Sequence, residues 1–305
     1  MESESVQKDT KIKNYTRLAF IFALLIMVGS QILGTALPAY LGQIVFMVVG
    51  IVIALRGSCR PEKGTLLSEN NKMTGMSFVV TLGAFMLAKL LSLILSAGFM
   101  TLFVAEGSEE NLQGLTSIEE NLFMSFLFLG IVTPIGEEIV FRGCIGAGFK
   151  KYGIWFAMIM STILFALYHC NLFQLVSTFL PGIVLFYVAM NYSIKWSVLF
   201  HFINNGVLSV GGTALKNAFP DSFLANNLEY VLEIVLVIAA VVLMKKDGAR
   251  DKVKAFLSGP ENEKGAYKAA MGNVWFVLLV LAVAVVTVMM LLMLSGNVPE
   301  VPAIA

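Results

Sequence analysis

Residues 274–294 read VWFVLLVLAVAVVTVMMLLML, a run without a single charged side chain. A helix that crosses a bilayer needs about 20 consecutive apolar residues, so this stretch predicts a membrane span. Comparable runs recur along the chain, at residues 17–37, 39–55, 76–104, 121–135 continuing toward 149, 153–170, 172–190, 195–213, 228–244 and 274–294. The second run is short, and Pro134 and Gly136 interrupt the fourth. We therefore expect an all-α, polytopic transmembrane helix bundle of about nine spans (eight to nine).

The composition of the whole chain agrees with a membrane protein. Of 305 residues, 58% are hydrophobic and 13% are charged, whereas a soluble domain carries about a quarter charged residues. The net charge of +1 offers no bulk basicity to attract nucleic acid, and no P-loop or GxGxxG motif predicts a nucleotide. The three scattered cysteines form no disulfide framework. We expect a multi-pass protein of the cell membrane.

The basic residues predict an orientation. Lysines and arginines collect before the first run and in every second loop thereafter, which places the N-terminus in the cytoplasm by the positive-inside rule. We divide the chain into a cytoplasmic N-terminal segment (1–16), N-terminal transmembrane helices with an acidic external loop (17–118), a central core (119–212) and C-terminal transmembrane helices (213–305). The last region includes a basic cytoplasmic linker, residues 245–273. We interpret its charged side chains as a solvated surface that could also contact anionic lipid.

Ionisable side chains within the predicted spans are few. Each costs about 2.5–3.5 kcal/mol in hydrocarbon on insertion scales, so it needs a partner and usually has a function. Lys89 is one of them, and we expect it to extend toward the interface or to pair with a carboxylate. The others lie in three short stretches, GEEIVFRG at 136–143, FALYH at 165–169 and HFINN at 201–205. They include both histidines of the chain, so we interpret them as one functional cluster.

Helical spacing gives this cluster a geometry. Glu138 and Arg142 are four residues apart and can pair, whereas Glu137 is turned by about 100° from that pair and remains available. His201 and Asn205 are also four apart and share a helix face.

Depth in the membrane raises a difficulty for His201. Glu137 and His169 each lie 16 residues from a turn near Gly153, or about 24 Å along a helix. His201 follows a turn near Ser193 by eight residues, or about 12 Å. The three can meet only if the first hairpin protrudes beyond the second turn or if the helices tilt.

Amide hydrolysis needs an activated water and a stabilised oxyanion. Glu137 with His169 could deprotonate the water, and His201 with Asn205 could donate hydrogen bonds to the oxyanion. Glu137, His169 and His201 could equally hold a zinc ion that activates the water, and the residues leave both mechanisms open. No HExxH or GxSxG motif occurs, and all aspartates lie outside the predicted spans, which disfavours other intramembrane hydrolases.

Three motifs, in order, carry a resemblance to a known family. They are EExxxR, FxxxH and HxxxN, with the residues Glu137, Glu138, Arg142, Phe165, His169, His201 and Asn205. At these positions the chain resembles the CPBP family, which comprises the type II CAAX prenyl endopeptidases and the bacteriocin-processing or abortive-infection proteins. The resemblance covers about residues 119–212.

The resemblance implies an intramembrane protease, glutamate- or metal-dependent, that opens toward the cytoplasm. It implies that Glu137 and His169 activate water, that His201 and Asn205 stabilise the oxyanion, and that the substrate is a peptide or a lipidated protein, prenylated CAAX-type or bacteriocin-related. We count Glu138 among the catalytic candidates; Arg142 and Phe165 support the site. A divalent metal such as zinc stays possible as cofactor.

Two other functions are compatible with the composition. A non-catalytic scaffold or bacteriocin self-immunity protein would keep the fold without the chemistry. A proton-coupled transporter would also bury Glu and His, but we find no internal repeat of the kind that transporters show. Tyr168 and Asn204 flank the cluster and are candidates for supporting contacts.

Overall fold

The computed structural model describes residues 2–29, 39–103, 121–170 and 172–294. The acidic loop at 105–120 and the end of the first predicted span lie outside these ranges. Helices, and no strands, make up the regular structure of the described residues. They are α1 (Glu2–Leu24, extended by a π-helical turn, Leu25–Gly29), α2 (Ala39–Arg56), α3 (Gly75–Phe103), α4 (Leu122–Tyr152), α5 (Ile154–Tyr168), α6 (Leu172–Asn191), α7 (Ile194–Ala218), α8 (Phe223–Asp247), α9 (Ala249–Leu257), α10 (Ala266–Met271) and α11 (Val274–Leu294).

Seven of these helices are long and apolar enough to cross a membrane, namely α1, α3, α4, α6, α7, α8 and α11. Helices α2 and α5 are shorter apolar helices, and with them the described residues contain the nine predicted segments. Large apolar side chains such as Val242 and Val285 are more than half exposed on α8 and α11. Such surfaces suit a hydrocarbon solvent. The chain is an all-α, multi-pass membrane protein.

Helix α4 carries the EExxxR motif and is irregular around it. It runs unbroken through Pro134, where the sequence predicted an interruption. The α-helical turn Thr133–Glu137 lies between two π-helical segments, Phe126–Val132 and Glu138–Gly146. π-Helical turns within α-helices occur frequently at functional sites.

Helices α4 and α7 lie antiparallel and approach closely at two glycines. A Cβ atom added to Gly130 would lie only 2.9 Å from the Cα atom of Gly206. Further along the same pair, Gly143 lies against Ile194. The absence of side chains at the crossing allows backbone contact between the helices and sets their register.

This register explains how His201 reaches the depth of Glu137. The start of α7 at Ile194 is level with Gly143, about ten residues before the turn at Gly153, or about 15 Å along α4. The hairpin of α4 and α5 therefore extends well beyond the turn that precedes α7. The sequence left open whether the hairpin protrudes or the helices tilt. The protrusion of the hairpin accounts for the difference in depth between His201 and Glu137.

The first helix begins earlier than predicted. Helix α1 starts at Glu2, so residues 2–16 are helical and continuous with the first span. Ile12 and Thr16 are fully buried, and the Thr16 hydroxyl donates to the carbonyl oxygen of Ala270 at 3.4 Å. Lysine, glutamate and glutamine are good helix formers, which is why a polar segment can extend the helix.

The basic linker at 245–273 is also more ordered than predicted. It contains α9 and α10 and packs on the turn between α4 and α5. The backbone N–H of Ile154 donates to the carbonyl oxygen of Pro260 at 3.1 Å, and the N–H of Glu263 donates to that of Tyr152 at 3.0 Å. The charged side chains of the linker are mostly exposed, as predicted, but these hydrogen bonds and the buried face of α10 attach its backbone to the helix bundle.

Candidate active site

A cavity of about 430 Å³ lies among α3, α4, α5, α6, α7 and α8, with one wall residue each from α1 and α2. Its volume falls in the range of ordinary ligand pockets. The residues on its wall include four of the five predicted catalytic residues and several neighbours: Glu137, Phe165, Tyr168, His169, His201, Asn204 and Asn205. Glu138 and Arg142 lie behind this wall, with at most 1% of their surface exposed.

Glu137 has one carboxylate oxygen held and one oxygen free. The Tyr168 hydroxyl donates to Oε1 at 3.0 Å. Oε2 makes no hydrogen bond to the described residues, and Nε2 of His201 lies 3.7 Å from it. Glu137 is only 2% exposed, so this free oxygen is a buried acceptor on the cavity wall. Such an atom is placed to accept a proton from a bound water.

His169 follows the last residue of α5 and presents one ring nitrogen for chemistry. Its Nδ1 lies 2.9 Å from the carbonyl oxygen of Phe165. A carbonyl oxygen only accepts, so Nδ1 carries the proton, and in the neutral ring Nε2 is an acceptor. The Tyr168 ring packs edge-on against the imidazole, with centroids 4.8 Å apart. Tyr168 therefore contacts both members of the predicted water-activating pair.

A buried charged network holds His201. Its Nδ1 lies 3.1 Å from Oε1 of Glu138, and Nη1 of Arg142 lies 3.0 Å from the same oxygen, as the spacing of the pair predicts. The Ser197 hydroxyl donates to the other carboxylate oxygen. Three partners therefore surround the Glu138 carboxylate. This geometry lets Glu138 orient the imidazole of His201. The Glu138 carboxylate itself does not reach the cavity.

Phe165 connects the two histidines to this network. The Arg142 guanidinium carbon lies 4.0 Å from the centroid of the Phe165 ring. The same ring makes edge contacts with the imidazoles of His169 and His201, at centroid distances of 5.0 and 6.2 Å. Its contribution is packing and a cation–π contact, in agreement with the supporting role predicted for it.

Asn205 lies one helical turn beyond His201, and the close approach of α4 orients its amide. Nδ2 donates to the carbonyl oxygen of Leu129 at 3.2 Å, and Oδ1 accepts from Nδ2 of Asn204 at 2.8 Å. An amide nitrogen has two protons, so one of them remains for a ligand in the cavity.

The alternative mechanism with zinc requires three side chains close enough together to coordinate one metal ion. Among the described residues, no group of three or more His, Cys, Asp or Glu side chains is positioned to hold a metal ion. The side chains of Glu137, His169 and His201 therefore do not fit a metal ion in this arrangement, and the proposed mechanism includes no metal-bound step.

A second charged cluster on the cavity wall was missed in the sequence. Nζ of Lys89 lies 2.7 Å from Oε1 of Glu229 and 2.6 Å from Oε1 of Glu233. The expectation that Lys89 pairs with a carboxylate is confirmed, but its partners were not counted among the ionisable residues of the spans. Both lie in the predicted span 228–244, four residues apart on one helix face, and that spacing was the available signal.

Comparison with known proteins identifies the region around the site. Residues 119–207 match the family model described as "Rce1-like: Type II CAAX prenyl endopeptidase Rce1-like". A curated relative, "Putative membrane peptidase YdiL" of Bacillus subtilis (strain 168), is 26% identical over 133 residues, 43% of this chain and 54% of that protein. The chain thus aligns with about half the length of this relative. No solved structure matches the chain.

The matched region includes every motif residue and the helices α4, α5 and α6 with the first half of α7. Those helices supply the free oxygen of Glu137, the Nε2 atom of His169 and the amide of Asn205 to one cavity. Residues 119–207 of this multi-pass membrane protein, which contain the candidate site, are therefore similar to the Rce1-like type II CAAX prenyl endopeptidase family.

Proposed function

We propose that the protein is an intramembrane endopeptidase that hydrolyses peptide bonds of membrane-associated polypeptides in this cavity. The observation that carries the proposal is the free Oε2 atom of Glu137, buried on the same wall as His169 and Asn205. The family match supports a protease in general terms.

Water activation falls to Glu137 and His169. A water held between Oε2 of Glu137 and Nε2 of His169 gives its proton to the carboxylate as its oxygen attacks the carbonyl carbon. Tyr168 keeps the carboxylate in place through Oε1. The proton then passes from Glu137 to the nitrogen of the scissile amide as the carbon–nitrogen bond breaks, which releases the amine and the carboxylic acid and returns Glu137 to its carboxylate form.

Oxyanion stabilisation falls to Asn205 and His201. The remaining amide proton of Asn205 can point to the developing charge. Nδ1 of His201 faces the Glu138 carboxylate, so Nε2 has a proton to donate only when the ring is protonated. Glu138, Arg142 and Ser197 act as positioning residues for this imidazole.

The substrate class follows from where the cavity lies. It is built from membrane-spanning helices, so a polypeptide held in the bilayer by a lipid or by its own apolar segment reaches it most directly. The family description supports a prenylated CAAX-type substrate. The resemblance suggests a bacteriocin-related peptide as the second substrate class to test.

The test compares matched peptides and matched variants. The full chain is purified in lipid nanodiscs and offered one peptide sequence with and without a prenyl group. We expect Glu137→Ala and His169→Ala each to lower kcat/KM by at least about a hundredfold. Glu62→Ala, which removes an exposed glutamate from the segment between α2 and α3, is the control and should retain wild-type turnover.

Equal turnover in the wild type and in both cavity variants would contradict the proposal. A wild type that binds these peptides without cleaving them would favour the non-catalytic scaffold or immunity protein instead. A chelator titration in the same assay addresses the metal alternative. Activity that is lost with chelator and restored by zinc would overturn water activation by Glu137 and His169 alone.

A further inference from the structure

The ion cluster of Lys89, Glu229 and Glu233 takes no part in the proposed chemistry. Lys89 and Glu229 lie on the wall of the same cavity, and Glu233 lies behind them with no exposed surface. Oε2 of Glu233 makes no hydrogen bond to the described residues. A fully buried carboxylate with a free oxygen is costly unless something compensates it.

The cluster has two carboxyl groups for one ammonium group. With all three groups ionised, two carboxylates share one ammonium, which leaves a formal charge of −1. Lys89 is the only lysine or arginine among the residues that line the described cavity wall. Both of its carboxylate contacts are at 2.7 Å or less, so the ammonium is already neutralised. An unbalanced negative charge in a low-dielectric site attracts a cation and repels an anion.

The distance from the catalytic wall can be obtained from helix register. Phe78 of α3 packs edge-on against Trp196 and Phe200 of α7, with ring centroids 5.8 and 5.2 Å apart. The two helices therefore start at a similar level.

The Ser77 hydroxyl donates to Asp247 at the end of α8 and Lys89 pairs with Glu229 near its start, so α3 is antiparallel to α8. Helix α7 connects to α8 by a short turn that reverses the chain, so α3 and α7 run in the same direction. Counting along each helix from the aromatic contact, Lys89 lies about 10 Å further along the bundle than His201. An extended peptide covers that distance in about three residues.

We propose that Glu229, supported by Glu233, is a specificity determinant that binds a basic side chain of the substrate peptide about three residues from the scissile bond. The inference rests on the proposed function, because it takes this cavity as the peptide site. Lys89 holds the two carboxylates together, and the ring of Tyr230 on the same wall can pack against a lysine or arginine. A glutamate at the same peptide position is repelled.

Binding tests this directly, without relying on turnover. Fluorescent apolar peptides carry Lys, Gln or Glu at one position, and that position is moved along the peptide. Each peptide is titrated against the full chain with Glu137→Gln in nanodiscs. At the best position we expect the Lys peptide to bind at least tenfold more tightly than the Gln peptide, and the Glu peptide to bind more weakly still.

Variants then assign the preference to its residue. Adding Glu229→Gln should abolish the preference for Lys, whereas Glu229→Asp, which keeps the charge, should retain part of it. Glu62→Gln makes the same chemical change at an exposed site and should leave the preference as it was. The readout is the ratio of the affinities for the Lys and Gln peptides within each variant. A variant that is only partly folded binds both peptides less, which leaves this ratio unchanged.

Three results would overturn the inference: equal affinities for all three peptides, no binding of any of them, or a preference that survives Glu229→Gln. The proposed function is judged separately by hydrolysis with the wild type. Selective binding of the Lys peptide without hydrolysis by the wild type would support the proposed subsite and contradict the proposed protease function. Hydrolysis without any preference for the Lys peptide would support the protease function and contradict the proposed subsite.

Discussion

The hydroxyl of Tyr168 donates a 3.0 Å hydrogen bond to Oε1 of Glu137 and leaves Oε2 to the cavity. The two residues come from different helices, so the orientation of the proposed general base depends on how α4 packs against α5. Tyr168 lies within the FxxxH motif, directly before His169, and the structure gives it this specific contact.

Replacing Tyr168 by phenylalanine tests this contact. A hydrogen bond to a charged group contributes about 1.5–3 kcal/mol, so we expect kcat to fall about ten- to a hundredfold. KM should change little, because the hydroxyl contacts the base and not the substrate. Tyr267→Phe, on α10 and away from the cavity, is the matched control. An unaltered kcat in Tyr168→Phe would show that Glu137 needs no such support.

The buried pair of Glu138 and Arg142 should dominate the stability of this region. Arg142→Met leaves the Glu138 carboxylate uncompensated in the interior, and we expect a loss of about 3–5 kcal/mol in the free energy of unfolding. Unfolding in mixed detergent measures it. The double variant with Glu138→Gln should lose less than the two single changes add up to.

An exposed ion pair provides the comparison for that experiment. Lys151 lies 2.8 Å from Glu62, and both side chains are more than 60% exposed. Lys151→Met should leave the unfolding transition where it is, since exposed pairs contribute little. A similar loss in Lys151→Met and Arg142→Met would contradict the distinction between the buried and the exposed pair.

The crossing of α4 and α7 should tolerate no side chain. In Gly130→Ala the new Cβ would meet the backbone of Gly206, so we expect a loss of about 1–3 kcal/mol from overpacking. Proteolysis and thermal unfolding report it. Activity should fall as well, because separating the helices moves Asn205 away from the carbonyl oxygen of Leu129.

Gly98→Ala is the control for this substitution, because a Cβ at Gly98 would meet none of the described residues within 4 Å. Alanine favours a helix over glycine by about 1 kcal/mol, so this variant should be at least as stable as the wild type. A stable Gly130→Ala variant would mean that the backbones of α4 and α7 are not in contact at this crossing.

Cys59, in the segment between α2 and α3, should react slowly with alkylating reagents. Burial raises the pKa of its thiol to about 11. At pH 8 about one thiol in a thousand is then the reactive thiolate, and the rate should rise about tenfold per pH unit up to the pKa. Mass spectrometry after iodoacetamide treatment measures this, with SDS-unfolded protein as the reference. Equal rates for folded and unfolded protein at pH 8 would show that Cys59 is not packed into the bundle.

Much of the architecture could be read from local sequence. Apolar runs of the length of a bilayer form helices whatever their neighbours are, because lipid offers the backbone no other hydrogen-bond partners. Pairs within one helix follow from the 3.6-residue period, which is why the contact of Glu138 with Arg142 could be predicted. The scarcity of charge in the spans likewise pointed to Glu137, His169 and His201.

Contacts between helices were decided only by the tertiary structure. The depth of His201 depends on the offset of two hairpins, and that offset depends on the glycine crossing of α4 and α7. The partners of Lys89 lie 140 and 144 residues away in the chain, too far for a helical period to connect them. The helical N-terminus and the packed linker at 245–273 arise from contacts with each other. Local periodicity determines which residues share a face, whereas the register between helices depends on side-chain volumes that meet only in the folded bundle.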